Sequence, residues 1–214
     1  MIHTLANGFY RFCEWVMRLA YLNLLWIGFT LAGAVIFGLA PATAAMFAVT
    51  RQWTLGKTDV PVFQTFFRAF KKKWAKSSVL GLILGLVGLL LFVDFQIAAV
   101  YFHDQPVFLS LFISLFIIYA IILLYAFPID VHYDLKRIAV LKYSFIIGFS
   151  RPLTSFFMLI SAFGMILLAL FHVTFLLFFS GSALSFILTK LSFQAFRAID
   201  GRRTDKQAAA PRLK

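Results

Sequence analysis

Apolar residues in this chain run in long stretches, and the charged residues collect between them. Leu19–Leu39, Ser77–Phe102, Val107–Val131 and Leu153–Phe179 are each long enough to cross a bilayer, which takes about 20 apolar residues. Lipid offers no partner to a bare backbone N–H or C=O, so such stretches must be helices. Two shorter apolar segments, Pro41–Leu55 and Ala183–Ala198, follow the first and last of them. Pro41–Leu55 would rise only about 23 Å, less than the ~30 Å hydrocarbon core. It reads as a steep short span or a re-entrant piece. The pattern predicts an all-α, polytopic transmembrane helical bundle of about six membrane segments, four long and two short.

Between these stretches the period changes to that of amphipathic helices at a membrane surface. Leu5, Phe9, Phe12 and Val16 share one helical face, and Asn7, Arg11, Glu14 and Arg18 another. In Val60–Trp74 the face Phe63, Phe66, Phe67, Phe70 and Trp74 opposes Gln64, Arg68, Lys71 and Lys72. Arg68, Lys71, Lys72 and Lys73 are the candidate contact with the inner leaflet or a partner. Tyr133–Phe149 presents Ile138, Leu141, Phe145 and Phe149 on one side, before Arg151-Pro152 opens the fourth long stretch. Turns are expected at Gly38–Pro41, His103–Pro106 and Ser180–Ser182. The chain then reads as three hairpin copies, Leu5–Leu55, Val60–Val131 and Tyr133–Ala198, each with an interfacial helix, a span out and a span back. Residues 1–199 form one integral membrane domain, and the polar, alanine-rich 200–214 is expected to be a disordered cytoplasmic tail.

Composition sharpens this picture. Of 214 residues 62% are hydrophobic, 28 are Phe and only 13% are charged, against about 25% charged in a soluble domain. The formal charge is +12. Two Lys or Arg precede the first span, seven lie in Arg51–Lys76, none in Tyr101–Val107, four in Lys136–Arg151 and seven from Lys190 onward. That alternation follows the positive-inside rule and predicts a multi-pass plasma-membrane protein with both termini cytoplasmic. Nucleic acid is excluded as a partner, because the aromatics sit in apolar runs and are not interleaved with the basic residues. The N-terminus does not read as a signal peptide, since Asn7, Arg11, Glu14 and Arg18 interrupt it.

Motifs for chemistry are sparse. Cys13 is the single cysteine and the four His are scattered, so no metal spacing, triad or phosphate loop can be read, no cofactor is expected and the chain does not read as an enzyme. Gly81, Gly85 and Gly88 lie inside a span, where they make a smooth face for close packing. Intramembrane polar groups are functional candidates because hydrocarbon makes them costly. Asp94 falls about 25 Å along its span and His172 about 28 Å along another, at ~1.5 Å per residue. With Gln96 and His103 they form the candidate polar pocket. Asn23 and Asp130 read as packing or interfacial residues.

Several sequence stretches carry a family resemblance. Asn23-Leu24-Leu25-Trp26-Ile27, Gly38-Leu39-Ala40-Pro41-Ala42-Thr43-Ala44-Ala45-Met46-Phe47 with Arg51-Gln52-Trp53, and Val62-Phe63-Gln64-Thr65-Phe66-Phe67-Arg68-Ala69-Phe70 resemble the YesL-like family of bacterial membrane proteins. Tyr125-Ala126-Phe127-Pro128 and the stretch from Lys142 to Pro152 look similar to that family's second half. The resemblance implies an integral protein of the bacterial plasma membrane. Members are often encoded beside importers and enzymes for complex carbohydrates, which implies an accessory role in carbohydrate uptake with ABC permease subunits as partners. It brings no catalytic residues. The competing expectation is a small-solute transporter or channel acting by itself, using Asp94, His172 and the short helices. Besides the lipid bilayer, a homo-oligomer stays open as a partner.

Overall fold

The computed structural model of the chain describes residues 2–101, 106–133 and 135–209. Among the described residues there are eight helices and no strand: α1 Ile2–Ala32, α2 Ile36–Thr54, α3 Val62–Tyr101, α4 Pro106–Tyr133, α5 Arg137–Ser150, α6 Pro152–Phe171, α7 Val173–Phe178 and α8 Ser180–Ala209. Among the described residues, four stretches are long and apolar enough to cross a bilayer: Gly8–Ala32 of α1, all of α3, Ser110–Tyr133 of α4 and all of α6. The chain is a helical membrane protein.

Several boundaries differ from those expected. The first apolar stretch, Leu19–Leu39, is not one helix; it folds back at Gly33–Val35, and Pro41 lies inside α2 rather than at a turn. Gly33 and Gly38 allow this, because their backbones touch: a Cβ on Gly38 would stand 2.9 Å from the Gly33 Cα. Leu153–Phe179 is interrupted as well, at His172, which is extended (φ −135°, ψ 104°) between α6 and α7.

The expected interfacial helices of the first two copies are continuous with their spans. α3 runs unbroken for 40 residues from Val62, because nothing in Trp74–Ser78 breaks a helix. The third copy does break, between α5 and α6, where Pro152 cannot continue α5 and starts α6 instead. The boundary expected at residue 200 falls inside α8, which continues past Gly201 to Ala209; Arg202, Arg203, Lys206, Gln207, Ala208 and Ala209 favour helix there. Residues 210–214 lie outside the described residues.

Two cores hold the bundle. In one, Phe66 of α3 is fully buried with Leu22, Ala42, Ala45, Val49 and Trp53 of α1 and α2. Phe29 of α1 packs its ring against Phe63, Phe66, Phe67 and Phe70, at centroid separations of 6.4, 5.2, 6.0 and 5.0 Å. So the aromatic face expected at a membrane surface largely meets α1. The second core gathers Tyr125 and Ile129 of α4, Val140 and Ile147 of α5, Met158 of α6 and Phe196 of α8. α3 and α4 are antiparallel: Tyr119 Oη donates to the Leu84 carbonyl at 2.8 Å, and Lys73 meets Asp130.

Candidate functional site

Arg51 of α2 and Lys73 and Lys76 of α3 meet the C-terminal end of α4. Asp130 is 1% exposed. Lys73 Nζ donates to its Oδ2 at 3.1 Å and to its backbone carbonyl at 2.5 Å. Lys76 Nζ stands 3.2 Å from Oδ1, in ion-pair range but without hydrogen-bond alignment. A buried carboxylate is tolerated only when paired, so these two lysines are what let Asp130 sit there. Just beyond, Arg51 Nε–H points at His132 Nδ1 across a long 3.5 Å. The His132 ring stacks on Phe196 at 4.9 Å and meets Phe193 edge-on. Separately, Arg18 ties α1 to the α2–α3 connection by donating to the Thr58 carbonyl at 2.7 Å.

A second group of buried polar side chains joins α1, α2 and α8. Asn23 is 0% exposed. Its Nδ2 donates to the Leu177 carbonyl at 2.7 Å, and its Oδ1 accepts the Ser182 N–H at 3.0 Å. One amide thus serves both sides of the α7–α8 break. Gly181 permits this approach, because a Cβ there would lie 2.9 Å from Asn23 Oδ1. Deeper along α8, the Thr189 and Thr50 hydroxyls meet at 2.9 Å.

Beside this group lies a cavity of about 370 Å³ lined by Trp26, Thr43, Phe47, Phe127, Met165 and Leu188, among others. The Trp26 indole donates to Thr43 Oγ1 at 3.0 Å, and Thr43 donates on to the Leu39 carbonyl. Ser185 donates to the Ser182 carbonyl. The cavity therefore presents mostly hydrocarbon. Two more cavities, of about 430 and 240 Å³, lie between α3, α4 and α6 and between α2, α3 and α4. Among the described residues, no three His, Cys, Asp or Glu come together as a metal ion would need.

The residues singled out from sequence are placed otherwise. Asp94, Gln96 and His172 are all exposed, and none lines any of these three cavities; the structure does not gather them into an enclosed polar pocket. His103 lies outside the described residues. Arg68, Lys71 and Lys72 are exposed as expected of a contact face, but Lys73 is half-buried and turned to Asp130. The correction follows from helix geometry: Lys73 is two turns beyond Phe66 and shares its inward face. Asn23 and Asp130, read as packing or interfacial residues, are buried and carry the two best-connected polar sites.

A model of the family described as "Protein of unknown function, DUF624" matches residues 19–95, the stretch that holds Asn23, Arg51 and Lys73. "Uncharacterized protein YesL" of Bacillus subtilis (strain 168) is 57% identical over 209 residues, covering 98% of this chain and 99% of that protein. "Uncharacterized protein YesV" of the same organism is 37% identical over 85% of this chain and 87% of its own length. "Uncharacterized protein YteU", also from that organism, is 42% identical over 64% of this chain and 62% of its own. No solved structure matches. With near full-length identity of 57% to one relative and the family model lying on α1 to α3, the chain belongs to the YesL-like DUF624 family.

Proposed function

We propose that this is a non-enzymatic membrane protein that works by lateral association, as an accessory partner of a carbohydrate ABC importer in the bacterial plasma membrane. The observation that carries the reading is how its polar groups are used. Asn23, Thr50 with Thr189, and Asp130 with Lys73 and Lys76 hold helices to one another. Meanwhile Leu86, Leu89, Phe92, Leu111, Phe163 and Leu167 of α3, α4 and α6 project outward. Such faces recognise another membrane helix by packing and shape, because lipid supplies no hydrophobic drive between helices. The importer enters through the family resemblance, and the Lys/Arg distribution supports cytoplasmic termini. Purification in mild detergent tests the partnership: a stoichiometric permease subunit is the expected companion. Loss of the protein should reduce uptake of a complex saccharide and spare simple sugars.

A transporter acting by itself is favoured by one observation. α6, α7 and α8 are interrupted beside the 370 Å³ cavity, and transporters place helix breaks at their binding sites. Sugar flux into liposomes holding only this protein would establish that reading and defeat the accessory one.

A further inference from the structure

We infer that the α1–α2 hairpin is re-entrant: it enters the bilayer from the side that carries Arg18 and Arg51, turns inside the hydrocarbon at Gly33–Val35, and leaves by the same side. The register comes from contacts at the charged end. Arg51 of α2 meets His132, and Lys73 and Lys76 of α3 meet Asp130, so α2, α3 and α4 share that end. Measured along α3, the turn end of the hairpin reaches the level of Ser78 to Gly85. Ser78 Oγ meets the Phe37 carbonyl, Ile36 lines a cavity with Gly81, Leu84 and Gly85, and Phe29 of α1 packs on Phe66 and Phe70. The hairpin therefore rises about nine residues past Lys76, about 14 Å at the helical rise. α3 extends from Lys76 to Tyr101, roughly 38 Å by the same rise. The hydrocarbon core is about 30 Å thick, so α3 crosses and the hairpin stops short. Side contacts agree: the backbone of α2 near Ala40 lies against Gly81, in the middle of α3.

The turn is also built for hydrocarbon. Its residues are Gly33, Ala34 and Val35, and its neighbours Leu31, Ile36, Phe37 and Leu39 are exposed apolar side chains. In lipid, backbone polar groups must find partners within the protein. The N–H groups of Gly33, Ala34, Val35 and Ile36 bond to the carbonyls of Phe29, Leu31, Thr30 and Ala34, at 3.1, 3.0, 2.9 and 2.7 Å. Closing so tightly puts Ala34 and Val35 at φ +55° and +60°, a costly conformation for a β-branched residue. Pro41 lacks the N–H that would bond the Phe37 carbonyl; the Ser78 hydroxyl of α3 stands 3.0 Å from that carbonyl and shares its one proton between it and the Trp74 carbonyl at 2.7 Å. A turn in the headgroups would have water for these groups.

The test uses the full-length protein in intact cells, with Cys13→Ser as background and a membrane-impermeant thiol reagent. Separate variants carry Lys57→Cys beside α2, Gln105→Cys in the α3–α4 connection, and Val35→Cys or Ile36→Cys at the turn. Gln105→Cys should label on the face opposite Lys57→Cys. The turn variants should not label from the Gln105 face and should become reactive there only after detergent denaturation. Labelling of folded Val35→Cys or Ile36→Cys from the Gln105 face, at the level of Gln105→Cys itself, would overturn the inference. Because Val35→Cys alters a strained position, Ile36→Trp supplies a second readout with Trp15, Trp26, Trp53 and Trp74 changed to Phe. Its fluorescence should be quenched most by phospholipids brominated deep in the acyl chain; strongest quenching by bromine near the headgroup would refute a turn inside the core.

Discussion

Lys73 grips Asp130 twice, at the backbone carbonyl and at the carboxylate, across 57 positions of sequence. The grip ties the first third of α3 to the end of α4. Removing one member of a buried pair strands the other and costs about 3–5 kcal/mol, whereas replacing both with apolar residues is far milder. Asp130→Leu and Lys73→Met should therefore each lower stability by about 3 kcal/mol, and the double variant should lose clearly less than the two together. Lys76→Met should cost less than Lys73→Met, since Lys76 is 28% exposed against 13% for Lys73. Thermal unfolding in detergent, arranged as a double-mutant cycle, measures this. Strict additivity would show that the pair does not couple.

Asn23 repairs the α7–α8 break by serving the Leu177 carbonyl and the Ser182 N–H at once. Asn23→Leu keeps the volume and leaves the Ser182 N–H buried without that partner, at about 1–3 kcal/mol for an unsatisfied group, and takes the donor from the part-buried Leu177 carbonyl. The expected result is a lower melting temperature together with faster amide exchange confined to residues 177–183. Asn23→Asp keeps the acceptor for Ser182 and loses the donor to Leu177, so it should protect the Ser182 amide better than Leu does. Unchanged exchange in Asn23→Leu would mean that the break is held by other contacts.

Sequence pattern shows the helices well and the polar sites poorly, for identifiable physical reasons. The four long apolar stretches are visible because an uninterrupted run of about 20 apolar residues suits a membrane span and little else. The break at Gly33–Val35 is partly visible in the glycines at 33 and 38, but Pro41 is a stronger turn signal and draws the expected boundary too far along the chain. Asp94 and His172 attract attention because they sit in apolar sequence; the structure leaves both exposed. Asp130 is hidden by its place at the end of a stretch, where a carboxylate usually meets water. Its partner is legible in principle: Phe66, Phe70, Lys73 and Ser77 follow one helical face, and a lysine on the face of a buried Phe66 implies a buried acceptor somewhere. Which acceptor is a matter of tertiary register, and a single sequence does not contain it.

The basic stretch of α3 divides into two functions that reversal of charge will separate. Arg68, Lys71 and Lys72 are exposed, beside the exposed rings of Phe63, Phe67 and Trp74. Near an anionic leaflet each such cation contributes about 1 kcal/mol. Changing all three to Glu should impair insertion into anionic membranes while the protein that does insert keeps its melting temperature. Lys73→Glu alone should instead destabilise the folded protein, because it places a second carboxylate on buried Asp130. Equal melting temperatures for the two variants would contradict this division.

Gly81 and Gly85 are one helical turn apart on α3 and meet different surroundings. A Cβ at Gly81 would collide with the Ala40 Cβ of α2, whereas one at Gly85 would find nothing within 4 Å. Close approach of α2 to α3 thus depends on the first glycine and not on the second. Gly81→Ala should cost about 1–3 kcal/mol by overpacking. Gly85→Ala should be neutral or stabilise by up to about 1 kcal/mol, because alanine favours helix over glycine. Ala40→Gly combined with Gly81→Ala exchanges the small residue across the contact and should recover most of the loss. Melting temperatures of the four proteins in one detergent decide it, and a loss at Gly85→Ala as large as at Gly81→Ala would show that α2 does not pack on α3 in this register.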